Sequence, residues 1–424
     1  MDHVANYPIL RKLGEGATSE VFLCQDPFRS REVAVKRIFP EALRDPVRGR
    51  LFRKLFFTEA SLAGKLDHPH IAQIYDAGIG EDSGYIVMEY VPGGTMERFC
   101  DPDGLRPVDE IVEIIFKCTR ALAYAHAQKV THRDIKPGNI LYASEPADVR
   151  IGDFGLALNL GAETTQITGV GSPAYMSPEQ IREELVDQRT DLYSLGVVMY
   201  QMLAGTLPFK GTNKFSMIYQ ITQYDPPPPS SHRREVPASL DRIVRRAMQK
   251  EAAKRYQSGD EFAEELIQAL HAGLGEQRET FGDADKFAAL RAMRFFRDFA
   301  DPELWEVVAL GKWERVPGST AVVREGDHGG FFCVLVDGEV RVTKNKKLLS
   351  VLGPGECFGE MAYLSANGKE RGATVTASRS SRIARIDVAG LEQATAACRS
   401  KFDRAFIGIL VERLNLANSR LASG

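Results

Sequence analysis

Alternating apolar residues begin at Tyr7 and continue through 21–23 and 32–38, with a glycine-bearing turn between them. This period of two predicts a small antiparallel sheet near the start of the chain. Residues 51–66 have helical spacing, and 85–90 read as a further strand. An amphipathic helix is predicted over 109–126, with Pro107 just upstream as its start signal. A mostly helical stretch follows over 178–270. The prolines at 226–229 interrupt it, since four consecutive prolines cannot stay helical.

The pattern changes after His271. Residues 272–285, AGLGEQRETFGDAD, hold three glycines and several charges and read as a linker. A helix is expected over 286–300. Turn signals then recur at Pro317-Gly318, Glu325-Gly326-Asp327, Asp337-Gly338, Gly353-Pro354-Gly355 and Asn367-Gly368. Short strands between such turns predict an all-β barrel or jelly roll. Residues 391–421 return to helical spacing.

Length agrees with this division. A chain of 424 residues exceeds one compact core, which stops growing at about 250–300 residues. Hydrophobic residues make up 44% and charged residues 26%, which excludes wholesale disorder. The net charge of −3 lacks the basic bias of a dedicated nucleic-acid binder. Six cysteines stand singly, with no CxxC pair, which argues against a zinc ribbon or a disulfide framework and suits a reduced cytoplasmic setting. Met1 to Leu10 has no apolar run, and no stretch of about 18 apolar residues exists, so neither a signal peptide nor a membrane span is expected.

Candidate chemistry comes in two groups. LGEGATSEV at 13–21 puts Gly14 and Gly16 in a turn between strands, where backbone N–H groups can approach phosphates. By itself this is also a plain hairpin turn. VAVK ends a strand on Lys36, a point cation, and Glu59 lies in a following helix; alone, each reads as a solvated charge. HRDIKPGN at 132–139 is more specific. Asp134 can accept a hydroxyl proton, Lys136 can steady a phosphoryl group, and the Asn139 amide oxygen can bind Mg²⁺. DFG at 153–155 supplies a second oxygen ligand, Asp153, and SPE at 177–179 completes the set. Five motifs in this order and spacing set chance co-occurrence aside.

The stretch 7–271 resembles a eukaryotic-type serine/threonine protein kinase, and YMSPEQ and KRYQSGDEF look most like its bacterial members. The resemblance implies a bilobal fold that binds ATP and Mg²⁺ and phosphorylates Ser or Thr of protein substrates. It makes Asp134 the catalytic base, with Lys136 beside it. It places Leu13, Gly14, Gly16, Val21, Ala34, Lys36, Glu59, Met88, Glu89 and Val91 around ATP, and Asn139 and Asp153 on the metal. Asp191 would brace the catalytic loop, and Glu179 and Arg255 would form a buried ion pair. Arg133, before the catalytic aspartate, implies a phosphorylated partner, for which Thr164, Thr165 and Thr168 are the candidates. Two residues depart from the family pattern: Ser19 replaces a third loop glycine, and Ser177 replaces an alanine.

In the second group, GPGECFGEMAYL at 353–364 precedes RGATVTA at 371–377. A short helix after FGE would offer N–H groups to a phosphate, Arg371 a planar charged fork, and Glu360 an acceptor for a ribose hydroxyl. The segment resembles the phosphate-binding cassette of cyclic-nucleotide-binding domains, and the likeness extends over 286–424. It implies that Gly359, Glu360, Met361, Ala362, Arg371, Gly372 and Ala373 line a pocket for cyclic AMP or cyclic GMP, with Gly372 leaning slightly to cyclic AMP.

The expected fold class is multidomain α+β: a bilobal protein kinase at 7–271, a linker at 272–285, and a β-jelly-roll cyclic-nucleotide-binding domain with flanking helices at 286–424. The expected function is a protein kinase regulated by a cyclic nucleotide. The alternative is an active kinase whose second domain has lost the nucleotide and serves dimerisation or scaffolding, and a homodimer fits either reading. A cyclic-nucleotide-controlled transcription factor would need a helix-turn-helix after the barrel, where only the terminal helices stand.

Overall fold

A computed structural model of the chain describes residues 3–16, 18–45, 49–61, 64–80, 84–143, 147–154, 158–159, 173–211, 213–274, 281–364 and 370–422. The chain divides into two compact units, Met1–Thr280 and Phe281–Gly424.

The first unit opens with a six-stranded antiparallel sheet. Its order is His3–Val4, Tyr7–Glu15, Ser19–Asp26, Arg31–Ile38, Gly84–Glu89, Ile74–Ile79. One face buries Val4, Tyr7, Phe22, Cys24, Val33, Val35 and Val87 as a small core. The helix Gly49–Ala60 belongs to this part of the unit. It ends at Ala60, short of the predicted Leu66, and Gly64 beyond it takes a left-handed φ of +70°.

The rest of the first unit is helical. Val108–Ala127 is its central helix. Pro107 precedes it, Asp109 and Glu110 sit in its first turn, and most of its side chains are buried. Arg189–Ala204 packs beside it and ends on Gly205 at φ +69°, a left-handed cap. Ala238–Ala247 and Gly259–Ala269 complete the bundle. Pro226–Pro228 stay outside any helix, while the expectation is corrected at Pro229, which opens the 3₁₀ turn Pro229–Ser231 as its first residue, where a missing N–H costs nothing.

The second unit is a β-sandwich built from two four-stranded antiparallel sheets. One is ordered Lys312–Val316, Ser381–Asp387, Phe331–Asp337, Cys357–Phe358; the other Ala321–Val323, Thr374–Ala377, Val340–Lys344, Lys347–Leu352. Val316, Val323, Cys333, Leu335, Val340, Leu352, Phe358, Val375, Ala377 and Ile383 fill the space between them. On the outer face of the first sheet, Phe332 meets Phe402 and Phe406 of the long helix Ala396–Ala422.

The helix expected over 286–300 is corrected by the structure. It runs from Asp283 to Ala292, gives way to a 3₁₀ turn at Arg294–Phe296, and is followed by a further helix, Asp301–Leu310. Phe295, Phe296 and Phe299 gather against Phe402 in tilted and edge-to-face contacts, and that long-range cluster ends the helix. The terminal segment also divides, into Val388–Glu392 and Ala396–Ala422. All six cysteines are buried thiols. Among the described residues, no helix is long and apolar enough to cross a membrane.

Candidate active site and nucleotide pocket

In the first unit, strand alternation sorts the candidate residues. Val33 and Val35 face the small core, so the pleat sends Ala34 and Lys36 to the opposite face. Cross-strand register sets Gly14, Val21, Lys36 and Ile86 in one row, and Leu23, Ala34 and Met88 in a parallel row. Leu13 falls at a bulge between Lys12 and Gly14. Gly16 donates its N–H to the Ser19 carbonyl at 2.7 Å, which closes the glycine turn. Ser19 is already inside the next strand, paired with Ile38, so no third glycine is required there. Val91 is buried just beyond the strand Gly84–Glu89. The Glu89 carboxylate pairs with Arg150 at 2.7 Å, and its N–H donates to Gln73, so both groups are committed within the fold.

Lys36 Nζ donates to Asp153 Oδ1 at 2.6 Å. Asp153 adopts a left-handed φ of +57° to reach it. Desolvation opposes ionisation of this carboxyl. Lys36 outweighs that through charge and hydrogen bond, with help from His132 and Lys136, and the pKa falls to about 2. Glu59 lies on the helix Gly49–Ala60, but its side chain falls outside the described residues, as do Thr164, Thr165 and Thr168.

The loop 132–139 gathers the other groups. Lys136 Nζ donates to Asp134 Oδ2 at 2.7 Å. Asn139 Nδ2 donates to the Asp134 carbonyl at 2.8 Å and to Oδ2 at 3.1 Å. That turns the buried Asn139 amide so its oxygen remains an acceptor. Asp191, fully buried, holds the loop from below. It accepts from the backbone N–H of His132 at 2.8 Å and of Arg133 at 2.7 Å, and from His126 Nε2 at 2.8 Å. Burial raises its pKa, and these hydrogen bonds with the neighbouring histidines bring it below the usual carboxylate range. Arg133 sits at φ +69°, a strained conformation that these bonds to Asp191 help to fix.

Arg255 donates to both oxygens of Glu179 at 2.7 Å and to the carbonyl of Gln249. Ser177 has a use that the family alanine would lack. Its side chain caps the helix Pro178–Ile181 in a reciprocal box with Gln180, and it bonds Thr190. Gln180 in turn donates to the Arg133 carbonyl at 2.9 Å. His126 and Gln180 were not singled out in the sequence. Gln180 ends the YMSPEQ motif without a role assigned to it there, His126 lies in no motif, and both act through partners far along the chain.

In the second unit, Gly359 takes φ +75° and leads into Glu360 and the short helix Met361–Leu364. Arg371 and Glu360 are both buried. Arg371 Nη1 donates to the Gly359 carbonyl at 3.0 Å and Nη2 to that of Phe331 at 2.7 Å. A Cβ on Gly329 would stand 2.7 Å from Nη2, and one on Gly359 2.9 Å from Nη1, so a side chain at either position would push the guanidinium from this seat. Burial lowers the Arg371 pKa. Met361 is exposed, the Ala362 side chain falls outside the described residues, and Gly372 and Ala373 follow at the surface and half-buried. The structure thus brings Gly359 and Arg371 into contact and buries Glu360 beside them.

Residues 7–270, more than half of the chain, match the family described as the protein kinase domain. Residues 313–398 match the cyclic nucleotide-binding domain. The chain is 38% identical over 286 residues to serine/threonine-protein kinase PknB of Mycobacterium leprae, covering 66% of this chain and 45% of that protein. It is 35% identical over 283 residues to serine/threonine-protein kinase PrkC of Bacillus subtilis, covering 66% and 43%. The chain therefore spans less than half the length of these curated relatives. With its kinase motifs, its two-part fold and these matches, the chain belongs to the protein kinase family and carries a cyclic nucleotide-binding domain after the kinase domain.

Proposed function

We propose that the chain is a serine/threonine protein kinase that transfers the γ-phosphate of ATP to protein hydroxyls, and that cyclic AMP or cyclic GMP bound to its second unit regulates it. The observation that carries the first part is the loop 132–139, where Asp134, Lys136 and Asn139 hydrogen-bond one another over Asp191. Asp134 accepts the substrate hydroxyl proton, and Lys136 steadies the phosphoryl group in flight. Gly14, Gly16 and Lys36 hold phosphates; Leu13, Val21, Ala34, Met88, Glu89 and Val91 enclose the base; Glu59 pairs with Lys36. The donor set suits Mg²⁺: the Asn139 amide oxygen is turned free, and Asp153 is held ionised. Bound Mg²⁺ supplies charge neutralisation at the phosphates. Phosphorylation among Thr164, Thr165 and Thr168 would answer Arg133.

In the second unit, Arg371 binds the cyclic phosphate and Glu360 a ribose hydroxyl, with Gly359, Met361, Ala362, Gly372 and Ala373 completing the pocket. Regulation requires the nucleotide to favour one conformation over another, and the terminal helix is the element we assign that movement. The domains on this reading are 7–271 and 286–424 with a linker between, in a cytoplasmic protein. The test is kinase activity on the purified chain with radiolabelled ATP across a nucleotide titration, with Asp134→Asn as control. Incorporation that survives Asp134→Asn would reject the kinase assignment, and a rate flat across saturating nucleotide would reject regulation.

A second reading assigns the last unit to pairing two copies. Ile407, Leu410, Val411 and Leu414 form an exposed apolar stripe on Ala396–Ala422 at heptad spacing. Sedimentation of the full chain with and without Leu414→Glu would test it: a wild-type monomer overturns it.

A further inference from the structure

Arg385 sits on the strand Ser381–Asp387, two residues from Ile383 of the barrel core and directly across from Cys333. The period of two therefore puts Arg385 on the interior face, at the end of the barrel where Phe331 lies. Its guanidinium carbon stands 3.6 Å from the centroid of the Phe331 ring. The Arg371 guanidinium carbon stands 4.4 Å from the same centroid. Two fixed cations thus share one aromatic ring, no more than about 8 Å apart; Arg371 is buried, and the Arg385 side chain is 39% exposed.

Each charge has an acidic neighbour, Glu360 for Arg371 and Asp387 for Arg385, but neither is fully answered. Arg371 spends Nη1 and Nη2 on carbonyls of Gly359 and Phe331. The Arg385 Nε is buried with no hydrogen-bond partner among the described residues. The carboxylate of Asp387 stands 3.9 Å from that nitrogen, and Asp387 also accepts from Lys312 at 2.7 Å. Arg385 disfavours the charged form of Arg371, which also reports their proximity. Two guanidiniums at one ring, one of them with a buried nitrogen that has no acceptor among the described residues, suit an added anion.

We propose that Arg385 is a second phosphate-binding residue of the nucleotide pocket, gripping the cyclic phosphodiester together with Arg371. This rests on the cyclic-nucleotide reading above. The phosphodiester carries one negative charge and two exocyclic oxygens, so each arginine takes one oxygen. Cyclic AMP and cyclic GMP share that group, so Arg385 supports affinity for both and does not choose between them.

Calorimetry on the full chain with cyclic AMP and cyclic GMP tests this with Arg385→Met, which keeps the packing on Phe331, and Arg385→Lys, which keeps the charge. Arg371→Ala is the reference, and thermal melts check the fold of each variant. Arg385→Met should weaken both nucleotides by about tenfold or more, the loss of one charge-assisted hydrogen bond. Arg385→Lys should recover part of that loss, and the Met variant should lose part of the wild type's sensitivity to added salt. Wild-type affinity in Arg385→Met, alongside lost binding in Arg371→Ala, would overturn the role of Arg385 and leave the pocket standing. A loss confined to cyclic GMP would make Arg385 a base contact and equally overturn it. Absence of binding of either nucleotide to the wild type would overturn the pocket itself, and this role with it.

Discussion

The Tyr363 hydroxyl donates to a carboxylate oxygen of Asp403 at 2.6 Å. Tyr363 belongs to the short helix that follows Glu360, and Asp403 to the long helix Ala396–Ala422. The same tyrosine ring lies 6.2 Å from Phe332 and 5.5 Å from Phe406. Burial, and then the neighbouring Asp403, raise its pKa above the usual phenol range, so it stays a donor. The turn that holds Gly359 and Glu360 is thereby tied to the terminal helix by one hydrogen bond and an aromatic contact.

Removing that tie should separate binding from response. Tyr363→Phe keeps the ring and deletes about 1 kcal/mol of hydrogen bond. Nucleotide affinity by calorimetry should stay within about threefold of wild type, since the hydroxyl touches Asp403 and not the pocket. The change in kinase rate caused by saturating nucleotide should shrink. An unchanged response would show that the terminal helix is driven through another contact.

Asp191 is the second lever. It accepts two backbone N–H groups and one imidazole in a fully buried site. Asp191→Ala strands all three donors, at about 1–3 kcal/mol for each that stays unsatisfied. Denaturant unfolding of the variant should therefore lose several kcal/mol. The kinase rate should fall as well, because Arg133 at φ +69° is then free to relax and carry Asp134 with it. Asp191→Asn keeps an acceptor oxygen and should be milder on both readings.

What could be read in advance follows from the range of the interactions. The row Gly14, Val21, Lys36 was legible because alternation and turn glycines are local signals. The motif assigned Gly359 and Arg371 to one pocket, but their direct hydrogen bond came only with the fold. The 3₁₀ break at Arg294–Phe296 was not legible, because its cause is a cluster with Phe402 about a hundred residues later. Arg385 was hidden for a related reason. In SRIARID the arginines do not keep a strict alternation, and an arginine on a short strand reads as solvated. Only register, which puts it opposite Cys333, reveals that it faces inward.

Ser177 gives a prediction about the departure from the family pattern. Its side chain accepts from Gln180, and Gln180 reaches the Arg133 carbonyl. Ser177→Ala should lower stability by about 1 kcal/mol through the lost cap. Catalysis should persist, because no group of the loop 132–139 is removed. Thermal melts beside a radiolabel assay distinguish the outcomes: a dead but fully stable variant would contradict a capping role.

The last prediction concerns acid. Asp153 has an ordinary carboxyl value of 3.8, lowered to about 2 in the folded chain. Desolvation acts against that shift, and Lys36 at 2.6 Å supplies most of what overcomes it. A carboxyl with a depressed folded value binds fewer protons in the native state than in the unfolded one. Its stabilisation is therefore complete above pH 3.8 and is lost as pH falls toward about 2. Lys36→Met removes the cation and with it the cause of the depression. The variant should melt below wild type at neutral pH, by a modest margin, since nearly half of the Asp153 side chain is open to solvent. Across the acid range the wild-type melting temperature should fall more steeply, and the two curves should converge near pH 2. A gap of constant size from neutral to acid pH would mean that Lys36 stabilises the fold by packing and not through Asp153.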